Sequence, residues 1–258
     1  MPDPDLEREN RILERRLRRM EANVRRMEDF QDSNSTLLTR LLQDLELERA
    51  RSERLLLNVL PQRIIDRLNA GETVIADRHD DATVLFSDFV GFTSISARLS
   101  PASLIEELNT LFRAFDTLCD AHGIEKIKTV GDAYLAVGGL TGDSSEGAAA
   151  IAATALGMLE AVAESSTSSD WQIRIGINNG PIVAGIVGVS KFAYDVWGDT
   201  VNVASRLEST SEPGRIHVSA ELADRLGDRF EFEPRRPVDL KGKGLRETCF
   251  LVGRRGGG

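Results

Sequence analysis

Cysteine and histidine are scarce in this sequence of 258 residues, and their scarcity argues against several kinds of site. The two cysteines, Cys119 and Cys249, lie far apart in the sequence and away from any histidine cluster. We interpret both as reduced core thiols of a cytoplasmic protein, rather than as zinc ligands or a disulfide. The three histidines, His79, His122 and His217, belong to no motif, and we assign them to the surface or to packing.

An excess of positive charge and a long apolar run are also absent. The formal net charge is −9, which argues against a nucleic-acid-binding protein. We find neither a signal peptide nor an apolar run long enough to span a bilayer, so we expect no membrane span in this chain. The length suits one globular domain with an appendage.

The appendage, residues 5–60, is rich in charge and lacks glycine and proline. Its apolar residues recur at alternating spacings of three and four, which predicts a coiled coil. Polar residues such as Gln31 and Asn34 interrupt this seam. Because polar seam positions fix register and strand number, a parallel two-stranded coil is favoured over a solvated single helix. Pro61 ends the helix, and residues 62–68 predict a short second helix.

The first motif of chemical interest is TVLFSDFVGFT at residues 83–93. Its short apolar run, rich in β-branched and aromatic residues, predicts a strand covered on both faces. Asp88 follows at the strand end, and Gly91 allows a sharp turn before a helix whose free N–H groups attract phosphate oxygens. The pattern favours a site for a metal-bound phosphate. The alternative is that Asp88 caps the helix.

The second motif, residues 124–137, predicts a hairpin whose strands meet at the turn Gly131-Asp132. Two carboxylates at neighbouring strand ends can hold two divalent ions about 3.5–4 Å apart, the separation used for in-line phosphoryl chemistry. Magnesium is the natural ion, because it is hard and prefers oxygen ligands. The alternative for Asp132 is an ordinary turn residue.

The rest of the sequence alternates strands with helices. Residues 171–178 and 182–189 predict two strands separated by a turn at residues 179–181, and residues 200–211 predict a helix. This order of elements fits an α+β fold, in which helices pack on a mixed sheet.

The third motif, FAYDVWGDTVNVASR at residues 192–206, places Asn202 and Arg206 four residues apart on one helix face. With these motifs in this order, residues 79–252 resemble the catalytic domain of class III adenylyl cyclases. The preceding short helix resembles the transducer segment of that family, the alternative being a plain linker. The resemblance implies a ferredoxin-like core and the conversion of ATP to 3′,5′-cyclic AMP and pyrophosphate.

The resemblance also implies the metal ligands. Asp88 and Asp132 would hold two Mg²⁺ ions, for which Mn²⁺ is expected to substitute, and the backbone carbonyl of Phe89 matches a further metal contact of the family. One ion would lower the pKa of the attacking ribose hydroxyl, and the other would bridge the phosphates.

Three cations and one amide are assigned to the nucleotide in the same way. Arg206 matches the family residue that stabilises the transition state, and Asn202 matches the residue that orients the ribose. Arg174 and Lys241 match positions that bind the β- and γ-phosphates. The alternative for each cation is a solvated surface position.

Lys128 and Asp195 stand where the family places the pair that reads adenine. Adenine has an acceptor at N1 and a donor at its exocyclic amine, which suit a lysine and an aspartate, whereas guanine reverses both. Guanylyl cyclases of the family have an acidic residue and a cysteine at these positions, so the sequence favours ATP over GTP. The alternative is that Lys128 is a strand-surface lysine.

In the family, the metal-binding aspartates of one subunit face the base-binding and transition-state residues of another. This chain carries both halves, so we expect a homodimer with shared sites, joined by the coiled coil. The predicted domains are the coiled coil at 1–60, the transducer and linker at 61–78, the catalytic domain at 79–252 and a disordered tail at 253–258. A sensor or membrane domain upstream is compatible with this layout.

Two other functions stay open at this point. One is a guanylyl or dual-specificity cyclase, and the other is a non-enzymatic, cyclase-like module that serves only to dimerise. The complete set of predicted site residues argues against the second, because a module without activity has no need of them.

Overall fold

The structure is a computed structural model. The chain forms two compact units, Met1–Glu72 and Thr73–Gly258. Within them, the structure describes residues 4–57, 59–142, 144–165, 170–188 and 192–256.

The first unit consists of two helices, α1 (Pro4–Leu57) and α2 (Gln62–Asn69). Pro61, with an extended backbone at φ −60° and ψ 146°, immediately precedes α2, as expected of a residue that starts a new helix. The long N-terminal helix is thereby confirmed. In the single chain its apolar seam is open to solvent, Leu13 being 54% exposed. The coiled coil stays a prediction, because it requires a second chain.

The described part of the second unit contains eight strands and five helices. The strands are β1 (Ala76–Phe89), β2 (Glu125–Val130), β3 (Ala133–Gly138), β4 (Ile173–Val187), β5 (Ala193–Trp197), β6 (Ile216–Ser219), β7 (Phe230–Leu240) and β8 (Gly244–Arg254). The helices are α3 (Phe92–Ser96), α4 (Pro101–His122), α5 (Ser144–Ala163), α6 (Asp199–Ser209) and α7 (Ala220–Leu226). Strand β8 extends two residues into the tail that was predicted to be disordered.

The eight strands form one mixed sheet in the order β2-β3-β1-β4-β6-β8-β7, with β5 paired to β4. The pair β4 and β6 is parallel, and the other pairs are antiparallel. Helices α4, α5 and α7 contribute to one hydrophobic core with the strands, and Phe115, Ile151 and Ile175 in that core are fully buried. The predicted α+β fold is confirmed.

Helix α4 shows how local sequence sets an element's ends. The hydroxyl of Ser100 accepts a hydrogen bond from the backbone N–H of Ser103 at 3.2 Å, and Pro101 occupies the first turn. Gly123 ends the helix in the left-handed conformation at φ 65°.

The predicted turn at residues 179–181 is wrong, because β4 continues through it as one strand from Ile173 to Val187. Strand β1 extends back to Ala76 and so offers β4 a backbone partner on both sides of these residues. The register shifts between His79 and Ala82, so two residues of β1 lie opposite Pro181 and β1 bulges there by one residue. Proline lacks an N–H and is tolerated in a strand at such a break.

Among the described helices, α5 is long and apolar enough to cross a membrane, although the sequence was expected to contain no such segment. Buried residues make up 56% of the apolar window. Ala148, Ile151 and Met158 of α5 belong to the core cluster, so we interpret α5 as a core helix of this domain.

Burial of His217 predicts a pH-dependent stability. Its ring is fully buried, with Nδ1 2.9 Å from the carbonyl oxygen of Leu207. Burial, with the nearby Arg235 guanidinium, lowers the pKa of His217 to about 4, against about 6.5 in an unfolded chain. The unfolded state therefore binds the proton more readily, and stability should fall by up to about 3 kcal/mol as pH drops from about 6.5 towards 4.

Urea unfolding at a series of pH values checks this expectation. His217→Gln should flatten the slope of unfolding free energy against pH in that range, while His79→Gln, a control at a half-buried position, should keep the wild-type slope. An identical slope in wild type and His217→Gln would contradict the assignment.

Candidate active site

The structure brings the two predicted metal ligands together. Asp88 is the penultimate residue of β1, and Asp132 lies in the β2–β3 turn after Gly131, whose φ is 63°. Because Ser87 pairs with Tyr134, the turn lies beside the end of β1. Burial raises the pKa of Asp132, and the nearby negative charge of Asp88 raises it further. The pair carries excess negative charge that a cation would neutralise.

The oxygen donors available here fit a hard divalent cation. Within the described residues, no cluster of three or more His, Cys, Asp or Glu side chains could hold a metal ion. Magnesium is commonly held by one or two carboxylates, with waters and substrate phosphates completing its six ligands. Two aspartates therefore suffice for such an ion. The Phe89 side chain packs in the aromatic core, 5.0 Å from the Trp171 ring, and the role of its carbonyl stays a prediction.

Arg174 links Asp88 to a residue that sequence reasoning missed. It pairs directly with Asp88 across the β1–β4 register, and its Nη2 lies 2.9 Å from Asp88 Oδ2. The same nitrogen lies 3.2 Å from Oε1 of Glu208, in the last turn of α6. The predicted binding of phosphate by Arg174 stays a prediction, since its contacts in this structure are with carboxylates.

Glu208 is an acid at a buried helix position. Its exposure is 7%, and burial, with the charge of Asp88 as the second cause, raises its pKa to about 6. A signal for it exists in the sequence, because Thr200, Ala204 and Glu208 recur every four residues along the buried face of α6. A Cβ on Gly176 would come within 2.1 Å of the Glu208 backbone nitrogen, so this glycine lets α6 pack directly on β4.

Lys128 and Asp195, the predicted base-reading pair, are in contact. Lys128 Nζ on β2 lies 2.5 Å from Asp195 Oδ2 on β5, and Asp195 Oδ1 accepts the Val196 N–H at 2.9 Å. Their side chains are 41% and 20% exposed. The two polar ends are therefore held near each other and are partly exposed to solvent.

Asn202, Arg206 and Lys241 lie apart from these contacts. Asn202 is exposed and Arg206 half-buried, one turn apart on α6, and neither forms a hydrogen bond or ion pair with Asp88 or Asp132 within the described residues. Lys241 is exposed in the β7–β8 turn. Lys243 in the same turn lies 2.6 Å from Asp199 at the start of α6, which holds the turn beside that helix.

Comparison with known proteins agrees with this geometry. Residues 74–253 match the family described as "Adenylate and Guanylate cyclase catalytic domain". An adenylate cyclase of Mycobacterium tuberculosis is 45% identical over 214 residues, which cover 82% of this chain and 48% of that protein. Human retinal guanylyl cyclase 2 is 39% identical over 237 residues, covering 89% of this chain and 21% of that protein.

A solved structure gives the same result. The guanylate cyclase domain of RhGC from Catenaria anguillulae, in complex with GTP, is 35% identical, with a TM-score of 0.67. The match covers 69% of this chain and 100% of that domain. The mixed sheet with its helices is thus the fold of the class III cyclase domains.

The chain belongs to the family of adenylate and guanylate cyclase catalytic domains. Cyclase domains of this family generally use divalent metals, in agreement with the paired carboxylates. Relatives named for either nucleotide match, so membership defines a nucleotide cyclase domain and leaves the base open. The chain spans about half the length of the mycobacterial relatives that it matches.

The proximity of the two carboxylates predicts that neutralising one of them raises stability in the absence of metal and weakens metal binding. Asp132→Asn removes a charge that burial and Asp88 disfavour, so in the presence of a chelator it should unfold at a higher urea concentration than wild type. Mg²⁺ should stabilise wild type more than the variant, because the variant has lost a ligand.

Urea midpoints with EDTA and with Mg²⁺ check both effects. Asp120→Asn, an exposed acid at the end of α4, is the control and should leave both midpoints unchanged. An equal gain from Mg²⁺ in wild type and Asp132→Asn would exclude Asp132 as a ligand.

Proposed function

We propose that this chain is the catalytic part of an adenylyl cyclase, which converts ATP to 3′,5′-cyclic AMP and pyrophosphate in the cytoplasm. The proximity of the Asp88 carboxylate, at the end of β1, to that of Asp132, in the β2–β3 turn, carries the cyclase assignment. The contact between Lys128 and Asp195 carries the choice of ATP.

Asp88, Asp132 and the Phe89 carbonyl would hold two divalent ions, with Mg²⁺ proposed and Mn²⁺ able to replace it. When bound, the ions would supply a lowered pKa for the ribose 3′-hydroxyl and positive charge to offset that of the phosphates. The chain's own part is to hold the carboxylates in register, through the pairing of β1 with β3.

The remaining steps fall to residues outside the carboxylate pair. Asn202 would orient the ribose for in-line attack on the α-phosphorus, since an amide both donates and accepts hydrogen bonds. Arg206 would stabilise the negative charge that develops on the phosphoryl oxygens. Lys241 and Arg174 are the proposed contacts to the β- and γ-phosphates.

Base selection would follow from the sense of hydrogen bonding. Lys128 Nζ donates to adenine N1, and Asp195 accepts from the exocyclic amine, whereas guanine would meet a donor with a donor and an acceptor with an acceptor. A dual or guanylyl cyclase is the second candidate, favoured by the 39% identity to retinal guanylyl cyclase 2. Cyclic AMP and cyclic GMP formed by the purified chain with Mg²⁺ and with Mn²⁺ distinguish the two, and absence of both products would indicate a non-enzymatic module.

We propose a homodimer with two shared sites. Asn202 and Arg206 form no side-chain hydrogen bond or ion pair with the carboxylate pair of their own chain among the described residues, and Arg206 forms no ion pair there. A second chain with its own Asp88 and Asp132 would complete the set, and the exposed seam of α1 offers a means of holding two chains together.

Exchanging the base-reading pair should change nucleotide preference. Lys128→Glu with Asp195→Cys inverts the donor and acceptor senses, so kcat/KM for ATP should fall and that for GTP should rise. Lys126→Glu, which alters the neighbouring lysine of β2, is the control and should keep the wild-type ratio. Side-by-side turnover of ATP and GTP measures the ratio, and a surviving preference for ATP in the double variant would remove Lys128 and Asp195 from base reading.

Mixing two inactive variants tests the shared site. Asp88→Ala and Arg206→Ala should each be nearly inactive alone. In a mixed dimer both lesions fall in one site, leaving the other intact. With complete random exchange, half of the dimers are mixed and each has one working site of two, so activity should approach about a quarter of wild type.

Differently tagged chains verify that exchange has occurred, and Asp88→Ala mixed with Asp132→Ala is the matched control. In that mixture each of the two sites carries one lesion in its metal-binding half, so it should stay inactive. Confirmed mixed dimers without activity in the first mixture would place the whole catalytic set within one chain.

A further inference from the structure

We infer that Arg174 and Glu208 form a positioning pair for the metal-binding carboxylate of Asp88, and that Glu208 sets the affinity of this site for a divalent cation. The inference rests on the proposed function in one respect, namely that Asp88 is a metal ligand. It gives Arg174 a role at the metal site in addition to the phosphate contact proposed for it.

The register of β1 and β4 places Arg174 beside Asp88. The two residues are direct partners across β1 and β4, and the guanidinium reaches Oδ2 of the carboxylate at 2.9 Å. The Arg174 side chain is only 27% exposed. A cation held this close competes with a metal ion for the same oxygen.

Glu208 provides the second anchor that limits this competition. Its Oε1 lies 3.2 Å from the same Nη2 of Arg174, while Oε2 accepts the Ser209 hydroxyl at 3.1 Å. The Glu208 side chain is 9% exposed, so little water screens the attraction. When a metal ion binds Asp88, Arg174 can remain in its ion pair with Glu208. Its positive charge is then still compensated next to the metal ion.

Packing keeps Glu208 in place for this purpose. Helix α6 meets β4 so closely at Gly176 that a Cβ there would come within 2.3 Å of the Ala204 carbonyl oxygen. The Arg174 Nε and Glu208 Oε1 atoms are buried without a hydrogen-bond partner among the described residues. A buried pair that leaves polar atoms unsatisfied contributes little net stability, which favours a role in tuning the adjacent carboxylate.

The charges predict opposite effects of the two residues on metal binding. Glu208→Gln removes a negative charge near the site and leaves Arg174 wholly to Asp88, so affinity for Mn²⁺ should fall about tenfold. Arg174→Gln removes the competing cation, so affinity should rise by a similar factor. Glu208→Asp keeps the charge on a shorter side chain and should restore most of the lost affinity.

Electron paramagnetic resonance of free Mn²⁺, titrated into the full chain without nucleotide, measures these affinities. Glu212→Gln removes one exposed acid three residues beyond α6 and is the control for net charge. If Glu208→Gln fails to fold, judged by circular dichroism, Glu208→Asp and Arg174→Gln decide, because the first should weaken binding slightly and the second should strengthen it.

The outcomes separate this inference from the proposed function. Loss of Mn²⁺ binding in Asp88→Asn confirms the metal site, and unchanged binding there overturns both proposals. If Asp88→Asn loses binding but Glu208→Gln behaves as Glu212→Gln does, the positioning role is overturned and the metal site stands. An Arg174→Gln variant with unchanged Mn²⁺ affinity and a raised KM for ATP also overturns the inference, and favours the phosphate contact.

Discussion

The antiparallel pairing of β1 with β4 is the interaction on which the rest of this domain depends. It runs from Ala76 to Phe89 on one strand and crosses a bulge without ending. The same pairing places Arg174 opposite Asp88 at one end and turns β4 towards β5, which carries Asp195, at the other. Disruption of this pairing would therefore affect the core, the proposed metal carboxylate Asp88 and the proposed base-reading pair together.

The sequence predicted residues whose signals are local, and it failed where a distant segment decides. Asp88 and Asp132 stand at strand ends that can be recognised from short apolar runs and a Gly-Asp turn. The turn predicted at residues 179–181 has equally good local signals, but the extended β1 supplies hydrogen-bond partners that override them. Glu208 was missed because an acid in a helix is usually solvated, although it shares a face of α6 with Thr200 and Ala204, and the close packing on Gly176 buries it.

Contacts between charged groups lay beyond sequence reasoning for a related reason. Lys128 and Asp195 are 67 residues apart, and the family resemblance paired them by role without a distance. The resemblance likewise gave Arg174 to the phosphates, whereas its contacts follow from strand register. Register depends on which strands become neighbours, and that is decided by the whole sheet. The two-chain coil and the shared site need a partner chain.

Helix α6 presents different residues on its different faces. Glu208 points to β4 and reaches Asp88 through Arg174, while Asn202 and Arg206 lie on a more open face. In a dimer with shared sites, α6 would be linked through Arg174 to the carboxylate of its own chain. Through Asn202 and Arg206 it would also contact the nucleotide bound at its neighbour's carboxylates. The two centres would then be mechanically linked, and occupation of one would change the other. The dependence of rate on ATP concentration would depart from a simple hyperbola.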